Sequence, residues 1–308
     1  MTTVLFTHPA CLDHDTGSRH PEHPGRLQAV LEALEAEAFT ALKRRQAPRA
    51  EIAQIARVHA ADYIQAVLDA VPAEGRVHLD PDTVVSASSG EAALRAAGAV
   101  CAAVDAVVSG EASNAFCAVR PPGHHAERAR AMGFCLFNNV AVGAEQAREA
   151  HRLKRVAVMD FDVHHGNGTQ HSFEDDADLM YASTHQWPFY PGTGAAQERG
   201  VGNIVNVPLP AMAGSLEFRQ AMTRTVLPAI EAFGPDLVMI SAGFDAHAAD
   251  PLAALRLEVS DFGWATAELA RLAGRHCSGR LVSTLEGGYD LPALASSAAA
   301  HVQALMAA

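Results

Sequence analysis

Positive charge is in short supply in this chain. Only two of its 308 residues are lysine, Lys43 and Lys154, and basic side chains number 23 against 35 acidic ones, for a formal charge of −12. Phosphate backbones are gripped by cationic surface, so this balance argues against a nucleic-acid partner. An acidic envelope keeps a protein soluble and attracts cationic substrates, lysine-rich tails among them. The lysine scarcity itself reads as genome composition. Cysteine is sparse too: Cys11, Cys101, Cys117, Cys135 and Cys277, with no C-x-x-C. That odd count argues against a disulfide framework and a thiolate zinc site, and points to a reducing, cytoplasmic compartment. No window approaches the roughly 18 uninterrupted apolar residues of a membrane span, and the apolar run within Met1–Thr7 is too short for a signal peptide. Gly and Pro, at 23 and 16, are too few for a low-complexity or collagen-like chain.

What is present is the composition of a globular protein, 49% apolar and 19% charged. Apolar, β-rich runs predict strands near Val4–Phe6, Ala115–Val119, Arg155–Phe161, Leu179–Ser183, Asn203–Val207, Leu237–Ser241 and Arg280–Leu285. Between them helices are predicted over Gly25–Ala38, Ala60–Val71, Gly90–Val108, Asn138–His151, Ser215–Ala232, Asp261–His276 and Leu291–Met306. Strands that alternate with helices and show no in-and-out pattern, as in Val156-Ala157-Val158-Met159, belong to a parallel sheet covered on both faces. No repeat or linker divides the chain, so the expected fold is one three-layer α/β domain over residues 1–308, a mainly parallel sheet flanked by helices.

Ligands of such sheets gather at the carboxyl ends of the strands, and four of those ends are chemically loaded. In Asp160-Phe161-Asp162-Val163-His164-His165-Gly166-Asn167-Gly168, residues two apart face the same way, so Asp162 and His164 converge. A carboxylate with an imidazole suits Zn²⁺ or another borderline divalent ion. The third donor comes from Ser241-Ala242-Gly243-Phe244-Asp245-Ala246-His247, with Asp245 the natural candidate and His247 its rival. In Arg120-Pro121-Pro122-Gly123-His124-His125-Ala126, the adjacent imidazoles read as a proton-handling pair or, alternatively, as metal ligands. Each would need an acceptor on its other nitrogen, and Asp160 and Asn167 lie in a neighbouring loop. Glu286-Gly287-Gly288-Tyr289 aims a phenol at the same region, where it could stabilise an oxyanion. Loop aromatics in Gly133-Phe134-Cys135-Leu136-Phe137 and Phe189-Tyr190-Pro191-Gly192 could wall a narrow apolar slot.

The ordered set R-P-P-G-H-H-A, G-F-C-x-F-N-N, D-F-D-V-H-H-G-N-G-T-Q, S-A-G-F-D and E-G-G-Y resembles the histone deacetylase family, in its class II wording, from about His20 to Tyr289. The resemblance implies the arginase/deacetylase fold and one catalytic Zn²⁺, or Fe²⁺, on Asp162, His164 and Asp245. It implies His125 as general base and then acid, oriented by Asn167, His124 as its electrostatic partner, oriented by Asp160, and Tyr289 polarising the scissile carbonyl. Phe134 and Tyr190 would wall an acyl-lysine tunnel floored by Gly133, Asp82 would hold the substrate backbone at the rim, and Arg26 would stand near an acetate exit. Structural K⁺ ions are implied at Asp160, Asp162, His164, Ser183 and Thr184, and at Phe173, Asp176, Leu179 and Asn203. Arginase-like relatives need D-x-H-x-D for two metals; Gly166 and His247 stand at the departing positions here, which favours one. Leu252 replaces the gatekeeper glutamate of polyamine-selective eukaryotic relatives, which favours acyl-lysine in a peptide or protein as substrate. The other expectations are a small acetylated amine as substrate, or a non-catalytic module that binds acyl-lysine.

Overall fold

A computed structural model describes residues 2–308. Its ten strands are β1 (Thr3–Thr7), β2 (Lys43–Gln46), β3 (Arg76–His78), β4 (Val84–Ser86), β5 (Asn114–Cys117), β6 (Val156–Asp160), β7 (Leu179–Gln186), β8 (Ile204–Leu209), β9 (Leu237–Ala242) and β10 (Leu281–Leu285). Eight of them form one sheet in the order β2-β1-β5-β10-β9-β6-β7-β8, and every neighbouring pair in it runs parallel. β3 and β4 make a separate antiparallel hairpin. The helices are α1 (Ala10–Asp13), α2 (Gly25–Ala33), α3 (Ile52–Ile55), α4 (Ala61–Asp69), α5 (Ser89–Val108), α6 (Asn139–His151), α7 (Asn167–Phe173), α8 (Ser215–Ala221), α9 (Leu227–Phe233), α10 (Val259–His276) and α11 (Leu291–Met306). The domain is the expected mainly parallel sheet flanked by helices. β5, β6, β7, β9 and β10 are buried at every position, as strands covered on both faces are. α5 packs on α6 and on β1, β5 and β10, while α10 packs on α11 and on β9.

Register explains why the site lies where it does. Cys117, Thr284, Ser241, Asp160 and Ser183 are paired in one row across five adjacent strands. The chemically loaded segments all begin just beyond this row, so four loops distant in sequence open side by side above the middle of the sheet. Beneath them Phe161, Phe244 and Phe262 pack with ring centroids 5.3–6.0 Å apart. Phe161 turns into that cluster because its neighbours Asp160 and Asp162 face the other way.

The boundaries depart from expectation where local chemistry intervenes. The helix expected over Ser215–Ala232 is broken by a π turn at Met222–Val226 just ahead of Pro228, which has no N–H to continue an α-helical ladder. The helix expected to reach Ala38 ends at Ala33, and a 3₁₀ turn at Glu37–Phe39 buries Phe39. β7 runs on to Gln186, since Thr184, His185 and Gln186 are buried despite being polar. β2, with the sequence Lys-Arg-Arg-Gln, was not foreseen; it is an edge strand whose side chains are not fully buried. Pro208 is tolerated in β8 because that strand is the opposite edge. All five cysteines are unpaired and buried. Among the described residues no helix is long and apolar enough to cross a membrane.

The interior also holds imidazoles. His14, His59, His185 and His301 are almost wholly buried, and burial pushes their pKa values down to about 4, 4, 4 and 3. They are neutral when folded, whereas the unfolded chain protonates them below about 6.5. Their contribution to stability is therefore complete above pH 6.5 and is lost as pH falls toward 4. His301 bridges Thr266 and Ser283. Between pH 6 and 5 the parent should lose unfolding free energy faster than His301→Gln does, the difference approaching ~1.4 kcal/mol per pH unit, in urea titrations; identical slopes would contradict this assignment.

Candidate active site

Asp162, His164 and Asp245 each offer a donor atom, and these atoms lie within 4.8 Å of one another. His164 Nδ1 is 3.0 Å from Asp162 Oδ1 and 3.1 Å from Asp245 Oδ2. The other carboxylate oxygens are fixed by backbone: Gly287 N–H donates to Asp162 Oδ2 at 2.8 Å and Val163 N–H to Asp245 Oδ1 at 2.8 Å. A Cβ on Gly287 would stand 2.2 Å from Asp245 Oδ2 and 2.5 Å from Asp162 Oδ2, so only glycine lets that strand end close over both acids. Two buried carboxylates this close repel. Burial and Asp162 together push Asp245 up to about 7, while His124 and His164 overcome burial and hold Asp162 well below the carboxylate range. Two carboxylate oxygens and an imidazole nitrogen, converging in a buried place, are a donor set that fits a divalent cation such as Zn²⁺ or Fe²⁺, with coordination positions left for water or substrate. His247 does not join them: its Nδ1 accepts the Ala249 N–H at 3.1 Å.

The two adjacent histidines are also outside that trio and are treated oppositely by their surroundings. His124 Nδ1 bonds Asp160 Oδ2 at 2.9 Å, and Asp160 in turn accepts the Tyr181 hydroxyl at 3.1 Å. Burial disfavours its charge, but Asp162 and Asp160 outweigh burial and hold its pKa at about 10. His125 Nδ1 bonds Asn167 Oδ1 at 2.8 Å. Burial, with cationic His124 and His164 close by, drives it well below its ordinary value. The surroundings thus favour a second proton on one ring and disfavour it on its neighbour, with centroids 4.0 Å apart.

A slot of about 210 Å³ leads to this cluster, lined by Asp82, His125, Gly133, Phe134, His164, Phe189, Tyr190, Leu252 and Tyr289. All five residues expected at a substrate tunnel line it: Asp82, Gly133, Phe134, Tyr190 and Leu252. Phe189, named only as part of an aromatic loop, stacks on His164 with ring centroids 5.5 Å apart. Gly133, at φ +57°, backs onto His125, whose Cδ2 would be 2.4 Å from any added Cβ. Asp82 Oδ1 accepts the Gly133 N–H at 3.1 Å and so holds the slot floor.

Further residues brace the site through contacts that the sequence does not announce. Fully buried Glu286 accepts the N–H of Gly123 at 2.7 Å and of His124 at 3.2 Å, tying the end of β10 to the histidine loop. Asp250 uses one oxygen for the N–H of Tyr289 at 2.7 Å and the other for that of Leu252 at 3.0 Å. Arg26 donates to the carbonyls of Gly288 and Glu286 and lies 4.8 Å over the Tyr289 ring. Its charge, with that of Arg120, is met by buried Glu22. Most of these contacts join segments far apart in sequence: Glu286 to Gly123, Asp250 to Tyr289, and Arg26 to Gly288.

The residues expected near K⁺ fall into two different settings. His185 Nε2 faces the carbonyl of Gly194 at 2.8 Å, so its Nδ1 must accept from the Ser183 hydroxyl at 2.9 Å. That leaves the Ser183 lone pairs outside this bond, on a residue paired with Asp160 of β6 across the sheet. Around Asn203, the carbonyl oxygens of Phe173, Asp176 and Leu179 already converge on the side-chain amide nitrogen, at 2.7, 2.9 and 2.6 Å. Three acceptors face a group with two N–H bonds, and Asn203 Oδ1 is buried without a partner. A cation bound by those carbonyls must displace the amide.

Residues 20–305 match the description "Histone deacetylase domain". The chain is 43% identical over 277 residues to a protein named "Histone deacetylase-like amidohydrolase" from Pseudomonas aeruginosa, covering 88% of this chain and 73% of that one. It is 36% identical over 324 residues to "Histone deacetylase 14, chloroplastic" from Arabidopsis thaliana, covering 98% and 76%. The crystal structure of the HDA15 HD domain superposes with a TM-score of 0.94 at 36% identity, covering 99% of this chain and 88% of that one.

Asn203→Ala should open the carbonyl trio to K⁺. Replacing choline chloride with KCl at equal ionic strength should then raise the variant's thermal midpoint by more than the parent's, by about 1.5 °C for each kcal/mol the ion contributes. An equal or smaller response in the variant would show that these carbonyls do not take a cation.

Proposed function

The chain belongs to the histone deacetylase family, and from that premise we propose that residues 1–308 act as one deacetylase catalytic domain. Its reaction is the hydrolysis of an N-acyl amide, removing acetyl or another short acyl group from lysine side chains of peptides or proteins. The observation that carries this reading is the meeting of the Asp162–His164–Asp245 trio with neutral His125 at the inner end of an aromatic-walled slot. We propose Zn²⁺ for the trio, with Fe²⁺ the other ion its donors admit, and K⁺ beside Asp160, Asp162, His164, Ser183 and Thr184. The five buried free thiols support a reducing, cytoplasmic setting.

A divalent cation held by the trio supplies Lewis acidity, polarising the amide carbonyl and making water more acidic. The protein groups do the rest. Asn167 holds the His125 ring so that its Nε2 can take the proton of the attacking water. The Tyr289 phenol donates to the oxygen on which negative charge develops. Burial, opposed by Arg26 and reinforced by Asp245, keeps that phenol protonated and able to donate. As the C–N bond breaks, His125 returns its proton to the departing lysine amine. His124, cationic and anchored on Asp160, stays protonated and adds positive charge behind the reacting centre. Phe134, Phe189 and Tyr190 enclose the alkyl stem of the lysine. Leu252 gives the rim an apolar residue where a distant substrate ammonium would need an acid.

Tyr289→Phe should retain the metal and lose about 100- to 1000-fold in kcat, as expected for one oxyanion donor; near-normal turnover would remove the role assigned to it. Asp245→Ala should abolish both metal binding and acetate release. In paired assays of the metal-reconstituted protein, kcat/KM should favour an acetyl-lysine peptide over acetylputrescine. The opposite preference would make it a small-amine deacetylase, and binding of the peptide without turnover would make it an acyl-lysine binding protein.

A further inference from the structure

Glu127 lies two residues beyond His125 and takes no part in the site described above. Its carboxylate accepts from Asn167 Nδ2, and from His171 Nδ1 at 2.7 Å. Asn167 and His171 are one turn apart on α7, so both reach the same acid. Asn167 is buried, whereas His171 is exposed at the surface. A hydrogen-bonded series therefore runs from solvent through His171, Glu127 and Asn167 to His125.

An amide side chain can present either its oxygen or its NH₂, and the two ends have almost the same shape. If oxygen faces His125, the ring must carry its proton on Nδ1 and present a bare Nε2. If NH₂ faces it, Nδ1 must be the acceptor and the proton moves to Nε2, where it blocks the base. An ionised carboxylate only accepts. Burial works against ionisation of Glu127, but the bonds from His171 and Asn167 outweigh it and hold the carboxyl below its ordinary range. Glu127 thus requires the NH₂ of Asn167, which turns the oxygen toward His125. The carbonyl of His125 adds a longer contact of the same sense, at 3.3 Å.

We propose that Glu127 is a positioning residue that sets the orientation of Asn167 and, through it, the Nδ1–H tautomer of His125. This rests on His125 being the base of the proposed reaction, but it concerns a proton position that can be observed without turnover. It makes Glu127→Lys the informative variant, because an ammonium only donates and so demands the opposite end of Asn167. It also predicts a second-site rescue. Aspartate at position 167 has acceptors at both ends, so in Glu127→Lys/Asn167→Asp the orientation cannot be wrong whatever stands at 127.

The experiment uses zinc-loaded protein with ring-¹⁵N histidine and reads the His125 nitrogen shifts, assigned by comparison with His125→Gln, beside kcat and KM on an acetyl-lysine peptide. The parent should show Nδ1–H. Glu127→Lys should shift His125 to Nε2–H and lose at least about 10- to 100-fold in kcat, with zinc content and KM unchanged. The double variant should recover the parent tautomer and most of the lost kcat. An unchanged tautomer in Glu127→Lys, or a loss that Asn167→Asp does not repair, would overturn the assignment and reduce Glu127 to a structural acid. A parent that shows Nδ1–H but hydrolyses no acyl-lysine peptide would instead sink the deacetylase reading while leaving the tautomer control standing.

Discussion

Two carboxylates forced together out of water dominate this molecule. Asp162 and Asp245 come from loops after different strands, both almost fully buried, with a single imidazole between them. Buried like charges are tolerated only when paired, so the groups that touch them directly supply positive charge or N–H dipoles. Gly287 and Val163 donate backbone N–H groups, His164 bridges the pair, and His124 is held as a cation just behind. The proposed divalent ion completes this pattern, and the slot walls keep the solvent that would screen it away.

The same electrostatic logic assigns the two adjacent histidines. Neighbours in sequence ordinarily share an environment, yet one bonds a carboxylate and the other an amide. Asp160 next to His124 favours its charge; Asn167 next to His125 orients that ring without charging it. A protonated imidazole four ångströms away then makes a second proton on His125 costlier still. Fixed loops are needed for such differences to persist. Glu286, Asp250 and the Arg26–Glu22–Arg120 cluster provide them, each binding backbone groups of one loop to another.

Much of this was legible in the sequence, for identifiable reasons. Alternation along an extended chain placed Asp162 and His164 on one side, and strand ends marked where to look. Asp245 and His247 were harder to separate, since both stand two apart on the same loop. In the fold Asp245 joins Asp162 and His164, while the turn points His247 toward the Ala249 N–H. What composition could not show was anything decided across long sequence separations. Glu286 reaches Gly123, Asp250 reaches Tyr289, and Glu127 reaches α7, with no spacing rule to announce them. β2 was invisible because its charged residues look like a loop and become a strand only through pairing with β1. The amide of Asn203 was likewise unforeseeable: the sequence offered it as one residue of an expected ion site, and in the fold its side chain occupies the point where three carbonyls converge.

The central claim is that the acidic pair and its imidazole form one divalent-cation site. Crystals of zinc-loaded protein, with anomalous scattering recorded on both sides of the zinc edge, test this most directly. A single strong peak is expected within bonding distance of Asp162, His164 Nδ1 and Asp245, and none on His124, His125 or His247. A peak elsewhere, or two ions sharing the acids, would contradict it.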